Sequence, residues 1–279
     1  MARKNIFDIV KENNDITKDL MRINEIMYNN GCIEYSVNSY YSPINYFYYY
    51  MFEDWKQRGH CLNFNDFLEQ LDFKNIYNNA VTSKDSSSIV IVLELFSNIW
   101  EQINRRFNAK QKSFYHAKKF IDDCLSDLNL KECYIQEEDK YIIIEDKPET
   151  TAVAEIVDNN IALDIVRYNH YSLKGQLKEK QRILKIMADA LEARKDEIKS
   201  INNSFYSDIS FLVNSVNIRH NNIEEGSSYY HEYIANMSDD ELEEWYDETY
   251  QMILLAFLRM DNVERARKVT DLKRKVNGE

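Results

Sequence analysis

This chain of 279 residues carries a net charge of −12, and 44% of its residues are apolar and 29% charged, a composition typical of a folded protein. It contains only 5 glycines and 2 prolines. Sandwiches, barrels and propellers need such residues at their turns, so the scarcity excludes these architectures. It also excludes a glycine-rich phosphate loop, because no two glycines stand at the required spacing. A mostly α-helical protein is expected.

The cysteines and the N-terminal residues indicate the compartment. The four cysteines form no CxxC pair and no zinc spacing, which favours free thiols in a reducing cytosol. The N-terminus lacks the apolar core of a signal peptide, and the apolar run at 252–258 is far shorter than the ~20 residues that a membrane span needs. We therefore expect a cytoplasmic protein without a membrane segment. His60 and His116 have no partners at ligand spacing, so no metal or cofactor is predicted.

Residues 1–147 are predicted to form a helical region with one small β-hairpin. A helical period runs through 1–30, and the pair Ser42-Pro43 marks the start of an aromatic helix at 44–58. Further helices are expected at 64–71, 89–107 and 109–128, whereas 32–41 reads as irregular. β-Branched and aromatic residues on both sides of Glu138 and Asp139 predict a hairpin at about 132–145.

Residues 148–279 are predicted to form an up-down four-helix bundle. Short helices at 151–157 and 162–168 precede two long ones at 174–198 and 201–222. Ser238 and Glu241 have the spacing of a capping box and open a further helix. A last, basic helix is expected at 263–276.

The segment with the clearest chemical content lies at the end of helix 201–222. Steps of three and four residues lead from Val216 to Arg219 and His220, so the apolar stripe runs into an arginine and a histidine. Arginine offers a planar donor fork for phosphate, and histidine exchanges a proton near neutral pH. The amides that would contact a sugar or a base are those of Asn217, Asn221 and Asn222. Alternatively, Arg219 and His220 complement the dipole of a helix C-terminus.

A second basic feature, called the basic patch below, lies between residues 102 and 120. This segment holds six basic residues and no acidic one, with aromatic residues interleaved. Positive charge combined with stacking surface is typical of proteins that bind single-stranded nucleic acid, although a solvated helix pair fits equally well. The patch comprises Arg105, Arg106, Lys110, Lys112, Lys118 and Lys119. His170, at the entry to helix 174–198, either approaches Arg219 or makes a structural hydrogen bond.

Three stretches of the C-terminal half resemble the HEPN domains of prokaryotic abortive-infection and toxin proteins. They read YNHYSLKGQL at 168–177, VNIRHNNIEEG at 216–226 and ELEEWYDETYQMILL at 241–255. The likeness covers about residues 150–279. The shorter KNIFDI at 4–9 is similar to the start of AbiJ-type abortive-infection proteins, which join a variable N-terminal region to a C-terminal HEPN domain.

The resemblance implies a dimeric four-helix bundle and, in many HEPN domains, a metal-independent ribonuclease. The family motif has an arginine, an adjoining polar residue and a histidine four to six residues beyond the arginine. Arg219 matches the arginine and His220 the polar residue, whereas Glu224, Glu225 and Gly226 occupy the positions of the histidine.

Two functions therefore stand foremost, ahead of a third in which the chain is a purely structural helical assembly protein. The first is an RNA-cleaving effector of an anti-phage abortive-infection system, with Arg219 and His220 catalytic. The substrate would be bound by Asn217, Asn221, Asn222 and His170. The second is a non-catalytic bundle that acts as a sensor or scaffold for a nucleotide or a protein partner. The expected partners are RNA, a second copy of the chain and a defence-system protein.

Overall fold

The computed structural model of this protein describes residues 15–36, 39–106 and 112–277. The chain forms two compact units, Met1–Ile143 and Ile144–Glu279, called unit 1 and unit 2 below. The sequence places the boundary slightly later, between residues 147 and 148. α-Helices account for most of the described residues, which confirms the mostly helical fold that the scarcity of glycine and proline predicts.

The elements between residues 15 and 145 are helices and two short sheets. In chain order they are α1 (Ile16–Tyr28), β1 (Ile33–Ser36), β2 (Ser39–Tyr41), α2 (Pro43–Tyr50), α3 (Phe64–Gln70), α4 (Phe73–Thr82), α5 (Ser86–Arg106), α6 (Lys112–Asp127), β3 (Leu130–Ile135) and β4 (Lys140–Glu145). Short 3-10 helices at Phe52–Asp54 and Lys56–Arg58 follow α2. β3 and β4 pair in a two-stranded sheet, as the residues around Glu138 predict.

Helix α5 is the core element of unit 1. Its residues Leu93, Phe96 and Ile99 are fully buried, and the helix packs against α2, α4 and α6. Its Asn98 fixes β4 by two hydrogen bonds: Nδ2 donates to the Tyr141 carbonyl at 2.8 Å, and the Tyr141 N–H donates to Oδ1 at 2.9 Å. A buried amide thus joins the hairpin to the helix.

The structure differs from the sequence prediction at two places in unit 1. Residues 33–36 and 39–41 are not irregular, because they form the antiparallel pair β1 and β2, in which Ile33 lies opposite Tyr41 and Glu34 opposite Tyr40. Helix α2 ends at Tyr50 rather than at residue 58. Met51, with φ −131°, leaves the helical conformation there.

Unit 2 is a helical bundle around one apolar core. Its α-helices, within the described residues, are α7 (Pro148–Ala154), α8 (Asn159–Tyr168), α9 (Leu177–Glu192), α10 (Lys195–Ile201), α11 (Asn203–Ser215), α12 (Glu232–Ala235) and α13 (Asp239–Asn277). Helix α9 packs on α8 and α13, and α11 packs on α13. Buried leucine, isoleucine and methionine side chains of these helices fill the space between them.

Several helix boundaries in unit 2 differ from the predicted ones, and the two short helices predicted at 151–157 and 162–168 each begin three residues earlier. The helix expected at 174–198 begins at Leu177 and is interrupted at residues 193–194. The helix expected at 201–222 ends at Ser215, so Arg219 and His220 lie in the following loop. The last two predicted helices form a single helix, α13.

The start of α13 confirms the predicted capping box. The Ser238 hydroxyl accepts the Glu241 N–H at 3.2 Å, and the Glu241 carboxylate accepts the Ser238 N–H at 2.9 Å.

A buried lysine connects α9 to α13. Lys180 is only 6% exposed, and its ammonium group contacts Glu243 at 2.7 Å and Asp247 at 2.6 Å. It also lies 5.1 Å from the ring centroid of Tyr168, whose hydroxyl donates to Asp247 at 2.8 Å. Glu243 accepts the N–H of Gly175 at 2.9 Å, just before α9 begins. The charge of Lys180 is thus neutralised where the two helices meet.

We expect Glu243→Gln to lower the free energy of unfolding at pH 7 by about 1–3 kcal/mol, because a buried ammonium loses one of its two carboxylate partners. Burial raises the pKa of Glu243, but hydrogen bonds from Lys180 and Gly175 outweigh it and leave the pKa below its usual value. The stabilisation is therefore present above the usual glutamate pKa, about 4.3, and is lost as the pH falls through the lower folded value.

Urea unfolding of the wild-type chain and the variant, measured between pH 7 and pH 3, checks this prediction. The difference between them should shrink at the acid end, where the wild-type carboxylate is itself protonated. Glu244→Gln is the matched control, because Glu244 is exposed and makes no ion pair within the described chain. Equal stability of the two variants at pH 7 would contradict the proposed contribution of Glu243.

Candidate functional site

Unit 2 contains a cleft of about 850 Å³, called the polar cleft below. It is bounded by the N-terminal half of α9, the start of α13 and the loop 216–231. Its basic side chains are Lys178, Arg182, Lys185 and Arg219, and its acidic side chains are Glu224 and Asp239. Cations outnumber carboxylates here in a chain whose net charge is −12. A cleft of this charge attracts anions.

The basic wall of the cleft is one face of α9. Lys178, Arg182 and Lys185 follow one another at steps of four and three, so their exposed side chains lie in a row about one helical turn apart. Arg182 is paired, at 2.7 Å from Glu179 and 3.1 Å from Asp164. Lys178 and Lys185 make no ion pair with any residue that the structure describes. Their charges are available to a ligand.

The opposite wall is a loop held by a reciprocal pair of asparagines. The Asn217 N–H donates to the Asn222 side-chain oxygen at 2.9 Å, and the Asn222 N–H donates to the Asn217 side-chain oxygen at 3.2 Å. Asn222 also donates to the Tyr229 carbonyl at 2.8 Å. Asn217 has φ +59°, a left-handed conformation that asparagine tolerates better than most residues. Both side chains are buried, so they shape the loop.

Arg219 is held at the end of the cleft by both its backbone and its side chain. Its N–H donates to the carbonyl of Val213, in the last turn of α11, at 2.9 Å. Its guanidinium lies 3.1 Å from Asp189 and 3.9 Å from Glu192, and its side chain is 24% exposed. Carboxylates therefore occupy part of the donor fork that a phosphate would use.

Glu192, one of the two carboxylates near Arg219, also accepts a hydrogen bond from Tyr206. The Tyr206 hydroxyl donates to Glu192 at 2.6 Å and is the main cause that lowers the pKa of that carboxyl group. Burial, together with the nearby carboxylate, raises the pKa of Tyr206 to about 12. Glu192 thus remains ionised and attracts Arg219 at neutral pH.

His220 lies next to Arg219 with its ring stacked on Tyr229. The two rings are 3.9 Å apart between centroids and inclined by 6°. Within the described residues, neither ring nitrogen of His220 makes a hydrogen bond. The stack fixes the plane of the imidazole, and its nitrogens are left for a ligand in the cleft. Asn221 also lines the cleft, where its side chain donates to Glu224 at 2.6 Å.

His170 and the basic patch do not join this cleft. His170 Nδ1 lies 2.6 Å from the Ser172 hydroxyl and caps the 3-10 helix Tyr171–Leu173, and His170 is not among the residues that line the cleft. In the basic patch, Arg105 pairs with Asp139 at 2.7 Å and Lys118 with Glu132 at 2.8 Å. These two cations anchor the β3–β4 hairpin.

Of the other four cations of the basic patch, two are described by the structure. Arg106 and Lys119 are exposed at the surface of unit 1. Lys110 and the side chain of Lys112 lie outside the described part of the chain. Of the six predicted cations, two are thus neutralised by intramolecular ion pairs and two are exposed.

The sequence interpretation missed the row on α9. The signal was present, since three cations at steps of four and three lie on one helical face. The sequence analysis used only the apolar residues of this helix, which predict its buried side. The sequence analysis also assigns no role to Glu243 and Asp247, which bind the buried Lys180.

The described residues show neither a metal-binding cluster nor a membrane-spanning helix. No group of three or more histidine, cysteine, aspartate or glutamate side chains among them has the arrangement of a metal site. None of the helices in the described ranges is both long and apolar enough to cross a bilayer.

We expect Asn222→Ala to lower the free energy of unfolding by about 2–3 kcal/mol, because it leaves the buried Asn217 N–H without a partner and removes the hydrogen bond to the Tyr229 carbonyl. Asn221→Ala, the control on the exposed neighbour, should cost less than about 1 kcal/mol. Urea unfolding checks both values. If Asn222→Ala is as stable as the wild type and loses only ligand binding, Asn222 contacts substrate rather than shaping the loop.

Comparison of the chain with protein-family models, curated proteins and solved structures found no significant match. The support for a function therefore comes from the polar cleft, its charges and the sequence resemblance.

Proposed function

We propose that unit 2 binds RNA in the polar cleft and cleaves it as a metal-independent ribonuclease of the HEPN type. The observation that carries the proposal is the row of cations on α9 next to a histidine whose ring nitrogens are free for a ligand. Together they supply the two needs of RNA cleavage without a metal, which are a seat for the phosphates and a group that moves a proton.

The phosphates of the strand would lie along α9. Lys178 and Lys185 have no intramolecular ion pair within the described chain, so binding a phosphate costs them no existing contact. Arg182 retains donors beyond those used by Glu179 and Asp164. Phosphate contacts of this kind give affinity without base specificity, and they make binding sensitive to salt.

The reaction would use the substrate's own 2′-hydroxyl. In the forward step the 2′-oxygen forms a bond to phosphorus while the bond to the 5′-oxygen breaks, which leaves a 2′,3′-cyclic phosphate. His220 either takes the proton of the 2′-hydroxyl or gives one to the departing 5′-oxygen, and water supplies the other transfer. Arg219 would stabilise the charge that develops on the phosphate once it exchanges Asp189 for the substrate.

The biological setting follows from the resemblance to abortive-infection proteins. We propose an anti-phage effector in the cytoplasm that acts as a homodimer, and a defence-system protein as a further partner. In a symmetric dimer the same patch of both copies meets at the two-fold axis. Two His220 side chains sharing one cleft would then provide both proton transfers.

The second candidate function is a non-catalytic bundle that binds a nucleotide or a protein partner. The observation that favours it is the ion pair of Arg219 with Asp189, at 3.1 Å, with Glu192 at 3.9 Å. An arginine that is bound by carboxylates of the same chain stabilises the fold without contacting a substrate. The sequence also lacks the histidine that the family motif has beyond the arginine.

Binding is tested with the double variant Lys178→Ala/Lys185→Ala and a fluorescently labelled single-stranded RNA. We expect the dissociation constant to rise about tenfold or more at ~0.1 M salt, because two phosphate contacts are lost. The slope of log K against log salt should fall by about 1.4, at about 0.7 per phosphate. Lys119→Ala, in the basic patch of unit 1, is the matched control.

The comparison between the two sites decides where RNA binds. If Lys119→Ala weakens binding and the double variant does not, RNA binds the basic patch and the cleft proposal is wrong. If the wild-type chain binds no RNA at low salt, RNA is not its ligand.

Cleavage is tested with Arg219→Ala and His220→Ala. Each should lower the cleavage rate by about a hundredfold or more while the melting temperature stays close to the wild-type value. The matched control is His231→Ala, because His231 is an exposed histidine at the end of the same loop. Cleavage should persist in a chelator and stop when the 2′-hydroxyl at the scissile position is replaced by hydrogen.

The outcomes separate the two candidate functions. RNA that binds in the cleft and is cut by neither the monomer nor the dimer supports the non-catalytic bundle. Cleavage that survives His220→Ala at the wild-type rate would remove His220 from the mechanism.

A further inference from the structure

The C-terminal part of α13 is exposed on all its sides. Every residue from 264 to 277 is exposed, although the preceding turns of the same helix are buried in the core of unit 2. This segment extends for about 21 Å at 1.5 Å per residue. Most helices in proteins are stabilised by packing of an apolar face, and in this segment no such packing is present within the described chain.

The exposed segment nonetheless carries an apolar face. Val269, Leu272 and Val276 are 51%, 61% and 76% exposed, and they follow one another at steps of three and four. This spacing is that of the core positions of a coiled coil, in which a and d residues form a seam along one side of the helix. We call these three residues the tail stripe. Its width suits the seam of a second helix better than a broad sheet or groove.

The residues that flank the tail stripe are all lysines. With Val269 and Val276 at a positions and Leu272 at d, the g positions hold Lys268 and Lys275, and the e position holds Lys273. Residues at e and g set the choice of partner in coiled coils. Lys268 has a local partner, Glu264 at 3.1 Å, whereas Lys273 and Lys275 make no ion pair in the described chain.

A second copy of this chain does not fit the tail stripe. In a parallel pair, g positions face e positions, so Lys268 of one copy would face Lys273 of the other. In an antiparallel pair, g faces g and e faces e, so lysine again faces lysine. Like charges at these positions are repulsive in both orientations.

We propose that the tail stripe is the docking site of another protein, through an amphipathic helix with apolar residues at its seam and acidic residues on both flanks. Charge complementarity selects this partner, because three flanking lysines require carboxylates opposite them. The apolar seam supplies the burial, and the charges supply the specificity. This inference is independent of RNA cleavage, since none of these residues lines the polar cleft.

The test uses the full chain and two synthetic three-heptad peptides as probes. Both have leucine at a and d; one has glutamate and the other lysine at every e and g position, so neither pairs with itself. Binding is measured by fluorescence anisotropy. The wild-type chain should bind the acidic peptide at least tenfold more tightly than the basic one. Leu272→Ser should weaken this binding tenfold or more, because it removes the centre of the seam.

Charge reversal gives the sharper readout. Lys268→Glu/Lys273→Glu should invert the preference of the chain from the acidic to the basic peptide. Arg267→Glu/Arg274→Glu is the matched control, because it makes the same change in charge on the side of the helix opposite the stripe. This control should keep the preference for the acidic peptide.

Several outcomes would overturn the proposal. One is equal binding of the two peptides, and another is binding of the acidic peptide that Leu272→Ser leaves unchanged. A third is a lower mass of the chain in sedimentation after Leu272→Ser, which would identify a second copy as the occupant. A fourth is tighter binding to phosphatidylglycerol vesicles or single-stranded RNA than to the acidic peptide, with loss of that binding in Leu272→Ser.

Discussion

The ion pair of Lys180 with Glu243 and Asp247 is the contact on which the geometry of unit 2 depends. A buried ammonium is stable only when carboxylates accompany it, so α9 and α13 meet at one relative position. Glu243 also binds the N–H of Gly175, which has φ +75° and precedes the first turn of α9. The same carboxylate therefore fixes both the start of α9 and its contact with α13. The row of cations that faces the cleft begins on that first turn.

The loop on the other side of the cleft depends on polar contacts as well as on the buried apolar side chains of Val216 and Ile218. Helix α11 ends at Ser215, and Asn217 follows it in a left-handed conformation. Asn222 closes a ring of hydrogen bonds with Asn217. The Asn217 carbonyl then accepts the Tyr246 hydroxyl of α13 at 3.2 Å. The hydrogen bonds of these two buried amides thus fix the shape of the loop. Their position is what brings His220 beside Tyr229, while the backbone of Arg219 stays bonded to α11.

The elements that the sequence predicted well are those whose signal is local. Three such elements are the apolar helical repeat of α5, the hairpin around Glu138 and the capping box at Ser238. Each depends on residues that lie close together in the chain. The end of α11 was predicted wrongly because the helical period continues through Arg219, and nothing local marks Asn217 as left-handed. Likewise Glu243 reads as a solvated acid unless its distant partner Lys180 is known. Such contacts become visible only in three dimensions.

The contacts of Arg219 show how its charge is balanced within the fold. An arginine with no counter-charge would be costly where the side chain is three-quarters covered, and Asp189 and Glu192 neutralise it. Asp189 is itself 59% exposed, so this contact is weak and exchangeable in water. A phosphodiester can offer the same guanidinium two oxygens in one plane, together with the cations of α9. The carboxylate thus stabilises the guanidinium within the fold, and under the proposed function a phosphate would have the advantage only when it contacts several cations at once.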